Sequence, residues 1–338
     1  MDGATFSGAD NAALLDLARA LRTSGYKFVT ITPASHERVN RRPGTEWAHT
    51  VRDVFGWSRP FRSDVLPRHL FNLAHESKVL TRHADGWLSL VRFSSLDDEL
   101  FVHSAFPTIE TDSVFFGPDT GRLVDAVLAH LAGRASLIQR AVDIGCGTGA
   151  GAIAIAKRLP EAEVVGADIN PAALRATALN ATLARVPNVI AQHSDMLRDV
   201  GGSFDLIVSN PPFMIDPAGR AYRDGGGHWG TGLPLACVDA AVERLSPGGS
   251  LVLFCGAVIV AGENQFRDEA TRRLDDAGLV CEYRETDPDA YGDELDGPHY
   301  SEVDRIALGV LTANRARAET GLPAASPRSV RTNRNKDK

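Results

Sequence analysis

The chain is 338 residues long, 43% hydrophobic and 23% charged, with a net charge of −7. That length accommodates two domains of roughly 100–200 residues each. Its longest apolar run, Leu251 to Ala261, has 11 residues, against the roughly 20 that a bilayer-spanning helix requires, so no membrane partner is expected. The charge is uneven: residues 313–338 carry seven Lys/Arg against two acids, which leaves the rest of the chain at −12. An acidic body disfavours nucleic acid as a partner, because phosphate contacts need clustered positive charge. The four cysteines (146, 237, 255 and 281) form no CxxC pair and the ten histidines no HxxxH pattern. We expect no disulfide framework and no metal, and the chain lacks the basic and apolar regions of a signal peptide. These features predict a cytoplasmic protein.

From the N-terminus, residues 10–24 place Leu14, Leu17, Ala18 and Leu21 on one helical face, with Asp10 as cap and Gly25 as stop. Residues 32–68 are irregular, with seven Arg against four acids beside Trp47, Phe55, Trp57 and Phe61. Arg and aromatics together can hold a peptide or a nucleobase, but an anchored connector with a solvated basic side accounts better for the pattern. Residues 69–93 read as a helix followed by a hairpin around Ala84-Asp85-Gly86, an order that resembles a winged-helix module. Leu100 to His103 adds one more strand. These elements predict an N-terminal accessory domain over residues 1–110. After it, Gly117-Pro118 forces a turn, and Thr120 stands at the start of a helix running to Leu131.

Ala141-Val-Asp-Ile-Gly-Cys-Gly-Thr-Gly149 is an apolar strand that runs into a glycine turn and then an Ala-rich helix. Glycines let backbone approach a ligand where a Cβ would collide. Asp143 precedes the first glycine and can bond a cationic or hydroxyl group. The next strand ends in Asp168, 23 residues after Gly145, where an acid can take both hydroxyls of an adenosine ribose. Gly145, Gly147 and Ala150 also fit a dinucleotide fingerprint, and both readings stand at this point. Strands continue to alternate with helices: Asn170-Pro171 opens a helix to Ala184, residues 188–195 form a strand ending in Asp195, and Phe204 to Asn210 forms another. A helix over 233–245 ends at Pro247-Gly248-Gly249, and a strand covers 250–256. An amphipathic helix spans 265–276, and residues 279–283 and 305–311 make a final antiparallel pair. Such alternation implies a mostly parallel sheet. Residues 313–338 lack periodicity and read as a disordered basic tail.

The strand Asp205 to Ser209 stops at Asn210-Pro211-Pro212-Phe213. Two prolines cannot continue a ladder, so a stiff loop must sit at the carboxyl edge of the sheet, where open α/β folds bind ligands. Asp-x-Gly-x-Gly-x-Gly followed about 60 residues later by Asn-Pro-Pro-Phe resembles the class I N-methyltransferases that use S-adenosyl-L-methionine (SAM). In layout it is most similar to the release-factor and ribosomal-protein glutamine methyltransferases. Asp119 stands where that family's Pro-Arg-x-x-Thr segment has Arg, and Asp224-Gly225-Gly226 echoes its later Asp-Gly-Gly. The resemblance implies a Rossmann-like methyltransferase sheet over residues 111–312, mostly parallel with an antiparallel last strand. It implies SAM bound by Thr120, Asp143, Gly145, Gly147, Gly149, Asp168, Ile169, Asp195, Met196 and Asn210. It further implies Asn210, Pro211, Pro212 and Phe213 as the catalytic loop, methylating a planar nitrogen. The acceptor it suggests is a side-chain amide of a protein or peptide. A nucleobase amine and a small-molecule nitrogen are the alternatives, because Asn-Pro-Pro-Phe alone does not separate them. The glycine-rich stretch 220–231 reads equally as a substrate lid or a surface loop, and the acidic run 287–304 as a solvated face.

Overall fold

The computed structural model describes residues 8–134 and 137–317. Helix α1 (Asn11–Thr23) starts beneath Asp10, whose carboxylate accepts from the N–H groups of Ala12 and Ala13 at 3.0 Å, and it buries Leu14, Leu17, Ala18 and Leu21. The short helices α2 (Pro33–Asn40) and α3 (Val51–Phe55) follow, then α4 (Arg68–Glu76). The Arg-rich connector is anchored, as expected. Arg59 donates to Asp53 and to Asn40, both at 3.0 Å, and Arg62 pairs with Asp85 while lying 4.6 Å above the Trp47 ring.

Strands β1 (Leu80–His83) and β2 (Gly86–Ser89) form the expected hairpin, with Ala84 and Asp85 as its turn. Gly86 belongs to the strand because a Cβ there would crowd the Phe61 carbonyl and the Trp47 ring. A second hairpin, β3 (Val91–Leu96) with β4 (Glu99–Ser104), extends well beyond the single strand expected over 100–103.

The remaining elements are α5 (Pro118–Ala132), β5 (Arg140–Ile144), α6 (Ala150–Arg158), β6 (Glu163–Asp168), α7 (Pro171–Ala184), β7 (Val189–His193), β8 (Phe204–Ser209), α8 (Gly232–Arg244), β9 (Leu245–Ile259), α9 (Gln265–Asp276), β10 (Leu279–Asp287) and β11 (Arg305–Arg315). The seven strands pair in the order β10-β11-β9-β8-β5-β6-β7, and β11 alone runs against the others. This is the mostly parallel sheet that the alternation predicted. Two boundaries differ from expectation. β9 begins at Leu245 and contains Pro247-Gly248-Gly249, which bulge out where the register with β8 shifts between Phe204 and Leu206. A proline is tolerated in a strand at such an irregularity. β11 continues to Arg315, pairing Ala313 with Leu251, so the first residues assigned to the tail are strand, with Ala313 buried. The rest of that predicted tail, 318–338, lies outside the described residues.

The N-terminal elements do not close a core by themselves. Leu14, Leu17, Phe55, Leu70 and Phe93 pack in one cluster with Ala172, Ala173, Ala176, Leu179 and Leu183 of α7. Asn180 fastens this seam. Its amide accepts from the N–H of Val102 (2.9 Å) and donates to the carbonyls of Val102 (3.1 Å) and Thr148 (2.9 Å). It therefore joins the edge of β4 to the start of α6. Each buried group left unpaired costs about 1–3 kcal/mol. Asn180→Leu should accordingly lower stability in urea unfolding by about 2–4 kcal/mol, and a loss below about 0.5 kcal/mol would show that the seam does not depend on this amide.

Candidate cofactor and acceptor site

The strand order reverses between β5 and β8, so the loops that follow these two strands diverge and leave a crevice at their carboxyl ends. Ile144 and Ser209 are register partners at the strand tips, and the Ser209 hydroxyl donates to the Ile144 carbonyl at 2.7 Å. Gly145 and Asn210 therefore begin side by side. Both line a cavity of about 710 Å³.

On the β5 side, Gly145, Gly147 and Gly149 all have left-handed backbone, with φ of 69°, 53° and 78°. L side chains adopt that conformation only at a cost. At Gly149 space is also short: a Cβ would lie 2.8 Å from the Thr177 methyl. At Gly145 the space a side chain would fill is open, which leaves bare backbone facing the cavity. Asp168 caps the turn from the neighbouring strand, accepting from the N–H of Gly147 (3.0 Å) and of Asn170 (2.9 Å). Ile169, next to it, is 52% exposed and lines the same cavity, an apolar side chain left open at the rim.

Asp143 is 2% exposed and accepts from the Ala152 N–H at 2.9 Å. Burial pushes its carboxyl up to about 7, with the nearby Asp168 adding to the rise and the Ala152 bond opposing it. Burial likewise raises Asp168 against its three backbone bonds. A buried carboxyl with a half-buried one nearby forms a site that favours a positive charge.

On the far side, Met196 is half-buried with φ 53°, and its sulfur lies 4.0 Å from that of Cys237. Asp195 pairs with Arg198 at the rim, so a ligand reaching it would meet a paired carboxylate. Thr120 accepts from the Gly117 N–H at 3.3 Å and caps α5 while facing the cavity. The structure thus gathers all but one of the residues assigned to cofactor or catalysis around one cavity: Thr120, Asp143, Gly145, Gly147, Asp168, Ile169, Asp195, Met196 and Asn210 to Phe213 line it, whereas Gly149 packs against Thr177 and does not.

The Asn210 loop leaves the sheet with its side-chain amide free of hydrogen bonds among the described residues, half-buried and on the cavity wall. Phe213 is not a free stacking face. Its ring fills the space above Gly256 of β9, where a Cβ would clash, and meets Tyr291 edge-on with centroids 5.9 Å apart.

The two open stretches are both ordered into this wall. Met214 and Asp224 form a bridge, with Met214 N–H to the Arg223 carbonyl (3.2 Å) and Gly225 N–H to the Met214 carbonyl (2.9 Å). The Asp224-Gly225-Gly226 segment is therefore bound to the chain just after Phe213 and is no independent lid. Tyr222 donates to the Thr108 carbonyl at 2.6 Å and stacks on Phe115. Arg220 bonds Asp216 at 2.7 Å and holds that carboxyl down to about 2.

The acidic run between β10 and β11 is largely the solvated face expected, with Asp289, Asp293, Asp296, Glu302 and Asp304 exposed, but three of its acids also hold arginines. Asp287 pairs with Arg122 (3.1 Å), Asp293 with Arg38 (3.3 Å) and Glu294 with Arg223 (2.7 Å). Positive charges from three separate segments meet it, and a one-dimensional charge count cannot show that. Ser209, Thr177, Asn180 and Tyr291 escaped the sequence reading. For Thr177 and Asn180 a signal existed: both are polar residues on the otherwise apolar buried face of α7.

A sheet ordered in this way, with a glycine loop after one switch-point strand and Asn-Pro-Pro-Phe after the other, defines a class I methyltransferase domain, whose cofactor is SAM. Residues 117–261 match the model of the methyltransferase small domain. The release factor glutamine methyltransferase of Deinococcus radiodurans is 34% identical over 146 residues, 40% of this chain and 51% of that protein. Its counterpart in Bradyrhizobium diazoefficiens is 33% identical over 178 residues, 49% and 58% respectively. The chain thus resembles these enzymes and spans about half the length of the curated relatives it matches. Among solved structures, a tRNA m1G37 methyltransferase from M. jannaschii aligns with a TM-score of 0.44 at 17% identity, over 68% of this chain and 58% of that one. No helix among the described residues is long and apolar enough to cross a membrane.

The raised Asp143 carboxyl has a stability consequence with a definite sign. Its pKa lies above the ordinary carboxylate value, so the folded state holds the proton more tightly and stability falls as pH rises towards about 7. Asp143→Asn keeps an acceptor for the Ala152 N–H and removes the charge. In the ligand-free protein it should therefore raise Tm at pH 8 and change it little at pH 4.5; an equal shift at both pH values would show that the carboxyl does not ionise there.

Proposed function

We propose that this protein transfers a methyl group from SAM to a side-chain amide nitrogen of a protein or peptide. The observation that carries the reading is the Asn210 amide, unpaired among the described residues, on the cavity wall beside the backbone of Gly145. The kinship with glutamine methyltransferases supports the choice of an amide acceptor.

The residues present fit the cofactor. Bare glycine backbone, the buried Asp143, the half-buried Asp168 and the open Ile169 suit a methionine amine, a ribose and an adenine ring. Asp143 would meet the amine, Asp168 the ribose hydroxyls, and Ile169, Asp195 and Met196 the base, with Thr120 closing the side towards α5. SAM supplies an electrophilic methyl on sulfur.

The protein's own task is to make a poor nucleophile reactive. A planar amide delocalises its nitrogen lone pair. Donation from its two N–H groups to the Asn210 oxygen and the Pro211 carbonyl would hold that nitrogen in the plane of the loop and localise the lone pair towards the methyl. Asn suits this work because it accepts the bond without adding a charge. The prolines hold the two acceptors at fixed spacing, since neither can relax φ. Once the N–CH3 bond forms, the nitrogen is strongly acidic and its proton leaves to water, so no resident base is needed. Four free cysteines, three of them buried, are consistent with the reducing cytoplasm we assign to it. The residues before 110 would present the acceptor to the site.

Asn210→Ala should leave SAM binding by calorimetry within about twofold and reduce turnover by about 10²-fold, the scale set by loss of one charge-stabilising group. Asp168→Ala should weaken SAM binding instead. Labelled SAM incubated separately with protein, RNA and small-molecule fractions tests the acceptor: label in protein supports the amide reading, and label confined to RNA overturns it.

A further inference from the structure

Between β10 and β11 the chain leaves the sheet for 17 residues and returns to grip the Asn210 loop at two points. The buried Tyr300 hydroxyl accepts from the Ile215 N–H at 2.8 Å. Tyr291 sets its ring edge-on against Phe213 and lines the same cavity as Asn210.

Tyr291 is held there at a cost. Its φ of 59° is left-handed, an outlier for a bulky side chain. The backbone is fixed on both sides, by Ala290 N–H to the Ile306 carbonyl (2.8 Å) and Glu294 N–H to the Tyr291 carbonyl (2.9 Å). Its hydroxyl donates to Asp119 Oδ2. Asp119 is 6% exposed, and Arg122 fixes its other oxygen at 2.9 Å while also reaching Asp287 at 3.1 Å. A relay of side chains, Asp287 to Arg122 to Asp119 to Tyr291, therefore ends on the ring that touches Phe213.

We propose that Tyr291, propped by Asp119, is a positioning residue for the acceptor: it fixes Phe213 and thereby the depth at which Asn210 and Pro211 present their oxygens. The proposal rests on the reading of that loop as the acceptor-binding element. Proline stiffens the loop internally but does not set its height over the sheet, and the strained tyrosine supplies that constraint from outside. A displacement of about 1 Å in a reacting group can cost about 10²-fold in rate, so a ring that moves by a fraction of this is felt in turnover.

Tyr291→Phe keeps the ring and removes its anchor. We expect kcat to fall on the order of 10-fold, with SAM affinity unchanged and backbone amide hydrogen exchange at 213–215 accelerated. Asp119→Asn, which still accepts from the tyrosine, should retain most of the turnover. Asp119→Ala should match Tyr291→Phe, and the double variant Tyr291→Phe/Asp119→Ala should be no worse than either, as for two members of one unit. A role in packing alone would lower Tm and SAM binding together, without this split or the rescue by Asn. Unchanged kcat and unchanged exchange in Tyr291→Phe would overturn the proposal. The exchange measurement needs no acceptor, so it decides the matter even if the acceptor is not an amide. If Asn210→Ala retains full turnover while Tyr291→Phe loses it, the reading of Asn210 fails and the positioning role stands.

Discussion

The pairing of β5 with β8 governs everything else in this molecule. Parallel strands in register must end together, and the order of the sheet turns around at this pair, so no helix covers the gap beyond their tips. Ile144 and Ser209 are the last partners, tied by the Ser209 hydroxyl. Two loops of opposite character start from this one point. The glycine loop bends freely and offers backbone, whereas the Asn-Pro-Pro loop is stiff and offers fixed oxygens. Under the proposed methyl transfer, two groups held by these loops would need close approach with little reorganisation, and a shared origin on a rigid sheet suits that.

The cofactor side is built against local stability. Burial, with Asp168 nearby, raises the Asp143 carboxyl, and Gly145, Gly147 and Gly149 hold left-handed backbone that other residues adopt only at a cost. The raised carboxyl disfavours the ligand-free fold near neutral pH. Rigid neighbours carry the cost: Ala152 and Gly147 bond the carboxylates, Thr177 holds the loop through the Gly147 carbonyl at 3.1 Å, and Asn180 pins Thr148 to the N-terminal strands. The N-terminal elements thus do more than cover the domain, since their own core is completed by the helix that braces the glycine loop.

What the sequence made legible follows from range. Helix α1, the hairpin over 80–89 and the alternation of strands and helices are signals within a few residues, and each was readable. The turn at Gly145 to Gly149 and the stop at Pro211-Pro212 were readable too, because glycine permits left-handed backbone and proline ends a ladder. The second N-terminal hairpin was half hidden, since Arg92, Ser94 and His103 put polar residues into buried positions and spoiled the expected apolar pattern. The start of β9 was hidden by Pro247-Gly248-Gly249, which reads as a turn and acts as a bulge.

The acceptor side was the least legible for the same reason carried further. Its wall is assembled from Arg38 before α2 ends, Thr108 and Phe115 in the connector, Asp119 and Arg122 on α5, Tyr222 and Arg223 after the Asn210 loop, and Tyr291 to Glu294 past β10. None of these is within hydrogen-bonding reach of Asn210 by chain order, and as a linear run Asp287 to Asp304 looks like excess negative charge. In space three arginines meet it. Some of these pairs contribute little to stability: Arg38 and Asp293 are 68% and 64% exposed, a setting in which an ion pair is worth about 0–1 kcal/mol. The buried contacts at Asp119, Tyr291 and Tyr300 are of a different order, because breaking them strands polar groups away from water. The glycine-loop side of the cavity is built from elements close together in the chain and the opposite wall from elements far apart. A single sequence therefore states the first plainly, while the second is defined only where those distant segments meet.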